Sequence, residues 1–130
     1  MSTFADKTIL IVDDEKSILE LLSIMLGQIV DAKIITAESG VDAFEIIKNG
    51  NIDLVISDIR MPKGNGIDLL DNIKKLNPGI PTVVLITGFV SSFSEDDAKK
   101  KGAIAIIRKP FNFDHLNETV IKALSGEITS

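Results

Sequence analysis

The sequence predicts an α/β domain in which helices cover both faces of a parallel β-sheet. Five short runs rich in branched apolar residues alternate along the chain with five segments of helical periodicity, and most of the connections between them are short. Parallel strands need crossover connections of this kind, which are nearly always right-handed. These two observations together predict a doubly wound α/β fold with a five-stranded sheet.

Composition sets the outer limits on domain organisation and partners. A chain of 130 residues, 45% hydrophobic and 25% charged, suits one folded domain with a real core. We expect a single domain over residues 1–130, with its core over about residues 7–124. The net charge of −5 argues against direct binding of nucleic acid. No leader or membrane-length apolar run is visible, so the default expectation is a cytoplasmic protein without a membrane partner.

The first two strands and helices have clear local signals. Thr8–Val12 is a continuous apolar run typical of a strand buried on both faces, whereas Lys33–Ala37 is more polar and suits the edge of a sheet. Ser39 is placed to cap the second helix, and Asn49 with the following glycine ends it. The residues expected to face the core are Ile18, Leu21, Leu22, Met25 and Leu26 in the first helix and Val41, Ala43, Phe44, Ile46 and Ile47 in the second.

The second half of the chain repeats this alternation. Strands are predicted over residues 53–57, 82–86 and 103–107. A weaker helix is predicted before Gly102, where acidic residues precede three lysines in the order that suits a helix dipole. Asn112 can cap the last helix, in which His115 is expected to be exposed. The residues expected to face the core are Ile67, Leu69, Leu70, Ile73 and Leu76 in the third helix and Phe113, Leu116, Val120, Ile121 and Leu124 in the last.

Polar residues stand where the strands end. Asp13 and Asp14 follow the first strand, Asp58 follows the third, and Thr87 and Lys109 follow the fourth and fifth. In a parallel sheet these ends share one edge, although spacing alone does not give the strand order. If the first and third strands are adjacent, the carboxylates converge and repel one another unless a cation lies among them. Mg²⁺ suits such a set of hard oxygen ligands.

The remaining strand-end residues suit a phosphate. Lys109 offers a point charge for a phosphate oxygen, and Thr87 offers a hydroxyl donor beside the flexible Gly88 amide. Carboxylate, metal, lysine and hydroxyl on one edge are the parts of a phosphoryl-transfer site, in which positioning and charge neutralisation supply most of the catalysis.

Four motifs in this order resemble those of response-regulator receiver domains, the CheY-like domains of two-component signalling, over residues 7–124. They are Ile11-Val12-Asp13-Asp14-Glu15, Asp58-Ile59-Arg60-Met61-Pro62 with Gly66, Ile86-Thr87-Gly88, and Lys109-Pro110-Phe111. The resemblance implies a flavodoxin-like (βα)5 fold with strand order 2-1-3-4-5. It also implies that Asp58 accepts a phosphoryl group from a sensor histidine kinase or phosphotransfer protein, and that the chain catalyses only its own phosphorylation and dephosphorylation.

The resemblance also implies roles for individual residues. The implied Mg²⁺ ligands are the carboxylates of Asp13, Asp14 and Asp58 and the backbone carbonyl of Arg60. The implied phosphate-binding residues are Thr87, Gly88, Lys109 and Arg60. A cis peptide would join Lys109 to Pro110. The signal would pass to a downstream protein through the face formed by the fourth helix, fifth strand and fifth helix, and a homodimer formed on phosphorylation is the other association implied.

Two departures from the family pattern have consequences. Ile106 stands where the family commonly has Tyr or Phe, so this position has no ring that could swing between buried and exposed states. We therefore expect the output face to switch by backbone shift or association. Arg60 and Phe89 stand at the positions that flank the attacking water during hydrolysis. Neither is suited to positioning that water, which predicts a long-lived phosphoryl group.

Other interpretations fit parts of the sequence. A degenerate receiver could act as a constitutive interaction module, but the intact acidic pocket with Lys109 argues against this. An aspartate-nucleophile phosphatase would carry its nucleophile on the first strand with a second Asp two residues later, whereas Asp13 and Asp14 are adjacent. The short tail over residues 126–130 slightly favours a stand-alone regulator over the receiver portion of a longer protein.

Overall fold

The computed structural model describes residues 4–59, 66–76, 81–87, 99–108 and 112–125. Five parallel strands form one sheet in the order β2-β1-β3-β4-β5, with helices between them. The strands are β1 (Thr8–Val12), β2 (Lys33–Ala37), β3 (Leu54–Asp58), β4 (Thr82–Thr87) and β5 (Ala105–Arg108). The helices are α1 (Lys16–Gly27), α2 (Gly40–Lys48), α3 (Gly66–Ile73) and the C-terminal helix (Phe113–Ser125). The predicted doubly wound α/β fold and its strand order are confirmed.

The strands lie close to their predicted positions. Both β1 and β2 have the predicted bounds, and β2 lies at an edge of the sheet as its polar character indicated. Strand β3 begins and ends one residue later than predicted, and β4 extends one residue further, to Thr87. Strand β5 begins at Ala105, two residues later than predicted, because its pairing with β4 starts with Val84 opposite Ala105.

Two apolar layers enclose the sheet. Side chains alternate along each strand, so one face of the sheet packs against α1 and the C-terminal helix and the other against α2 and α3. Every residue of β3 is buried, as expected for a central parallel strand covered on both faces. On the first face the largest fully buried side chains are Ile9, Ile11, Leu22, Leu26, Leu54, Ile56, Ile86 and Ile107.

The predicted apolar stripe of α1 was partly wrong. Leu21 is 46% exposed, whereas Leu19, which was not among the predicted core residues, is only 6% exposed. The buried residues of α1 are Leu19, Leu22 and Leu26, spaced three and four apart. This spacing defines a face that Leu21 does not share, because each residue advances the helix by about 100°.

Three other predicted core residues lie at the surface. Val41 is 62% exposed in the first turn of α2, and Phe113 and Ile121 are 39% and 37% exposed on the C-terminal helix. Phe44 is half-buried at the margin of the core, with the Lys48 ammonium 5.5 Å from its ring centroid. These residues lie beside the buried helix stripes, where the sheet no longer covers them.

Both predicted helix caps are confirmed. The Ser39 hydroxyl accepts a hydrogen bond from the Asp42 backbone N–H at 3.1 Å, at the start of α2. The Asn112 side-chain oxygen accepts one from the His115 backbone N–H at 3.1 Å, at the start of the C-terminal helix. Each bond satisfies one of the backbone donors that a helix leaves unpaired in its first turn. His115 itself is exposed, as predicted.

Asp53 joins three strands at the amino edge of the sheet. Its carboxylate accepts a hydrogen bond from the Thr8 backbone N–H at 2.8 Å, and its own N–H donates to the Thr8 carbonyl at 3.0 Å. The Asp53 carbonyl accepts from the Thr82 N–H at 3.1 Å, and Lys7 Nζ lies 3.9 Å from the carboxylate. The starts of β1, β3 and β4 are thereby held level, so the opposite ends of these strands are level as well.

Candidate functional site

The first and third strands bring their terminal carboxylates together. Strand β1 lies between β2 and β3, so the connections leave β1 and β3 in opposite directions and open a crevice at their carboxyl ends. Val12 pairs with Ser57 across the two strands. Each of these two residues is followed by an aspartate, and Asp13 therefore stands beside Asp58.

Three carboxylates form a compact cluster in this crevice. One oxygen from each of Asp13, Asp14 and Asp58 lies within 4.8 Å of the other two. Asp13 is 1% exposed and Asp58 is 6% exposed, whereas Asp14 is exposed to solvent. Asp58 was predicted to lie in the loop after β3, but it is the last residue of the strand, so the sheet itself fixes its backbone.

Backbone hydrogen bonds fix the cluster from both strands. The Glu15 N–H donates to Asp13 Oδ1 at 2.9 Å, and the Asp13 N–H donates to the Ala37 carbonyl at 3.2 Å. On β3, the buried Ser57 hydroxyl donates to the Asp58 carbonyl at 2.9 Å. Ser57 was not among the predicted site residues; its hydroxyl interrupts a mostly apolar strand, but that alone does not indicate its bonding partner.

The electrostatics of the cluster favour a small divalent cation. At 4.8 Å and an effective dielectric of 20, two carboxylates repel by about 3.5 kcal/mol before other interactions are counted. Asp13 and Asp58 also have further interaction partners. Three hard oxygen donors at one solvent-open position are the ligand type that Mg²⁺ takes, with water completing its shell. The residues present therefore fit Mg²⁺.

Of the other predicted site residues, only Thr87 falls within the described part of the chain. It is the last residue of β4 and is in register with Arg108 at the end of β5, so its backbone reaches the same edge as the carboxylates. Arg60, Gly88 and Lys109 lie outside the described residues, as does the Lys109–Pro110 peptide. The roles assigned to these residues stay predictions.

Ile106 occupies the position at which the family commonly has an aromatic residue. It is 8% exposed, lies on β5 opposite Leu85, and belongs to the apolar layer that includes α2 and α3. This side chain is therefore part of the core rather than a group at the surface.

A doubly wound sheet with clustered carboxylates at its switch point defines a class of α/β domain whose ligand site lies at the carboxyl edge of the sheet. The profile of the response regulator receiver domain matches residues 9–121. The chain belongs to this family, and it is a receiver domain of two-component signalling.

Individual relatives agree with this family. The chain is 39% identical over 117 residues to the transcriptional regulatory protein ZraR of Salmonella typhimurium. These 117 residues cover 90% of this chain and 26% of ZraR. A receiver domain protein of Clostridium thermocellum has a similar crystal structure, with a TM-score of 0.84, 32% identity, and coverage of 93% of this chain and 96% of that one. The chain thus spans about a quarter of the length of the curated relatives it matches.

A more distant structure shows the same fold in a complex. The receiver domain of Saccharomyces cerevisiae Ssk1, crystallised with the histidine phosphotransfer protein Ypd1, matches with a TM-score of 0.84 and 20% identity, over 98% of this chain and 95% of that one.

Among the residues described here, no helix combines the length and the apolar character that crossing a bilayer requires.

Proposed function

We propose that this chain accepts a phosphoryl group on Asp58 beside a bound Mg²⁺ ion and passes the resulting change to a partner protein. The observation that carries the proposal is the carboxylate cluster, in which Asp58 ends the central strand β3 within 4.8 Å of Asp13 and Asp14. Membership of the receiver family supplies the reaction class.

The donor in this proposal is a phosphohistidine on a sensor histidine kinase or phosphotransfer protein. A carboxylate oxygen of Asp58 forms a bond to phosphorus while the phosphorus–nitrogen bond of the phosphohistidine breaks. The electron pair of the broken bond stays on the imidazole nitrogen, which then takes up a proton. The chain catalyses this transfer to itself and the later hydrolysis, and turns over no separate substrate.

The chain's own residues position and neutralise the reacting group. Asp13, Asp14 and Asp58, with the Arg60 carbonyl, would hold Mg²⁺, which when bound neutralises charge on the transferred phosphoryl oxygens. The hydrogen bond from the Glu15 N–H orients the Asp13 carboxylate. Further contacts to the phosphoryl group are proposed for the Lys109 ammonium, the Thr87 hydroxyl, the Gly88 N–H and Arg60.

Intact mass spectrometry after incubation with acetyl phosphate tests the assignment of Asp58. We expect one added phosphoryl group in the presence of Mg²⁺, and none with EDTA or in Asp58→Asn. Glu38→Gln is the matched control, because Glu38 follows β2 at the same edge but lies outside the cluster. An adduct that persists in Asp58→Asn would refute the assignment. The absence of any adduct, together with no effect of Mg²⁺ on thermal stability, would favour a constitutive interaction module.

The lifetime of the phosphoryl group follows from two residues near the site in sequence. Arg60 and Phe89 provide neither a carboxylate nor an amide to position a hydrolytic water, so we expect slow spontaneous loss of the group. The same mass spectra, followed over time, measure its decay. The double variant Arg60→Asn, Phe89→Glu should lose the group faster, and equal decay rates would contradict the argument.

The output belongs to the same proposal. We expect residues 1–130 to act as one receiver domain in the cytoplasm, where ATP-dependent kinases operate. The partner would bind the face that includes β5 and the C-terminal helix, or a second phosphorylated copy would form a homodimer there. Because Ile106 is buried and aliphatic, switching would proceed by backbone shift or association. NMR shift changes that stay confined to the Asp58 pocket on phosphorylation would contradict this mechanism.

A further inference from the structure

The carboxyl end of β2 forms the floor of a surface groove, which we name the β2 groove. Helix α1 lines one side with Lys16, Glu20 and Ile24, and α2 lines the other with Asp42 and Ile46. The groove encloses about 730 Å³. Among the described residues β2 pairs with β1 alone, so no described strand covers its outer edge, and this edge can accept an added strand.

The groove combines apolar and acidic side chains. Ile24 is 62% exposed, and Ile46 lies half-buried opposite. The carboxylates of Glu20, Glu38 and Asp42 line the groove against the single cation Lys16. Within the described residues, none of these three carboxylates takes part in an ion pair.

We propose that the β2 groove binds an extended segment of a partner protein in which lysine or arginine side chains alternate with aliphatic ones. The open edge of β2 offers main-chain hydrogen bonds to an added strand, which is an established mode of peptide recognition. Alternate side chains of such a strand point to opposite sides of the groove, so the aliphatic ones reach Ile24 on the α1 side while the basic ones meet Asp42 on the α2 side and Glu38 at the end of β2.

This surface is separate from the carboxylate cluster. None of Asp13, Asp14 and Asp58 lines the groove, and neither do β5 and the C-terminal helix. The inference therefore does not depend on phosphorylation of Asp58, and it can fail or succeed independently of the proposed function. It adds a second binding surface. Its charge selects the sequence of the bound segment, and the sheet edge selects an extended conformation.

NMR titration of the ¹⁵N-labelled chain with three synthetic hexapeptides tests the inference. The peptides are (Lys-Val)₃, its acidic counterpart (Glu-Val)₃ and the polar counterpart (Lys-Ser)₃. We expect (Lys-Val)₃ to cause saturable shifts of the Glu20, Thr36 and Glu38 amides. The acidic peptide should cause none, and the polar peptide should bind more weakly because it cannot cover Ile24.

Matched variants distinguish binding of the peptide in the groove from general electrostatic attraction to an acidic protein. The double variant Glu38→Lys, Asp42→Lys should weaken binding of (Lys-Val)₃ roughly tenfold, since two favourable charge pairs become unfavourable. The control Asp6→Lys, Asp114→Lys changes net charge equally at exposed positions outside the groove, and its affinity should stay within about twofold of the wild type.

A second pair of variants tests the apolar contribution without changing the groove's carboxylates. Ile24→Asn should abolish the shifts, whereas Ile121→Asn, at an exposed isoleucine on the C-terminal helix, should retain them. Equal weakening by groove and control variants, or shifts spread over all acidic surfaces, would overturn the inference. So would helical rather than extended bound peptide, or shifts that depend on protein concentration alone, which would identify a second copy as the occupant.

Discussion

Replacing Asp13 by Asn should stabilise the folded chain when no divalent cation is present. Asp13 and Asp58 are both buried, and their carboxylate oxygens lie within 4.8 Å of each other. Asn keeps the shape of the side chain and an oxygen that can still accept from the Glu15 N–H. The substitution therefore removes a buried like-charge repulsion at small structural cost.

The size of the effect follows from two opposing terms. The repulsion is about 3.5 kcal/mol at this distance and a dielectric of 20. The hydrogen bond from Glu15, now to a neutral oxygen, weakens by about 1 kcal/mol. A net stabilisation of at most about 2.5 kcal/mol remains, which corresponds to a rise in Tm of at most about 10 °C for a domain of this size.

Thermal unfolding in EDTA and in Mg²⁺ measures both consequences. In EDTA the Asp13→Asn variant should melt above the wild type. Mg²⁺ at 100 times its Kd should stabilise the wild type by about 2.7 kcal/mol and the variant far less, because a ligand has been removed. Asp14→Asn is the matched control, since its exposed charge is screened by solvent. It should lose the response to Mg²⁺ without the gain in EDTA.

A Tm of Asp13→Asn below that of the wild type in EDTA would contradict this prediction, as would a wild-type Tm that Mg²⁺ does not change. A gain in Asp14→Asn as large as that in Asp13→Asn would also contradict it, because burial would then not be the reason for the effect.

Three further predictions follow from packing and from surface charge. Leu22→Ala should lower the free energy of unfolding in urea by about 3 kcal/mol, because it leaves a cavity in the core, whereas Ile24→Ala at an exposed position should cost less than about 0.5 kcal/mol. Asp53→Ala should cost about 2 kcal/mol in the same assay, because the N–H that begins β1 loses its acceptor, and a cost below that of Ile24→Ala would contradict the bracing role. The hydrogen bond from Lys122 and the charge of its ammonium lower the pKa of Glu118, so this pair should stabilise the C-terminal helix at pH values above the ordinary value of 4.5 and lose that effect as pH falls through the lowered pKa. Lys122→Ala should return the Glu118 pKa in an NMR titration toward its ordinary value, and an unchanged titration would contradict the pairing.

The sequence was most informative where a local signal ends an element. Strands β1 and β2 could be predicted to the residue, because charged residues border both apolar runs. The start of β5 could not, because Ala103 and Ile104 are as apolar as the strand and only pairing with β4 decides where it begins. The rotation of α1 was likewise undetermined, since apolar residues surround much of the helix and the sheet selects Leu19 over Leu21.

The residues of the candidate site could be predicted more fully than their geometry. The strand-end positions of Asp13, Asp14 and Asp58 were enough to place them on one edge, but their convergence required β1 and β3 to be neighbours, which spacing does not determine. The burial that separates Asp13 from Asp14 is a tertiary property of adjacent and chemically identical residues. The hydroxyl of Ser57 was overlooked because its partner is a backbone carbonyl, which no side-chain pattern reveals.

The complete burial of β3 has a consequence for amide hydrogen exchange. Strand β3 is hydrogen-bonded to β1 and β4 on its two sides, and Asp53, which precedes it, is bonded to the starts of both neighbours. In contrast, β2 pairs with only one strand among the described residues and has exposed residues. Amides of β3 should therefore exchange only when the whole domain opens, and those of β2 through smaller local openings. The proposed acceptor Asp58 thus belongs to the slowest-exchanging part of the protein, and conformational change on phosphorylation has to arise in the segments around this strand rather than in the strand itself.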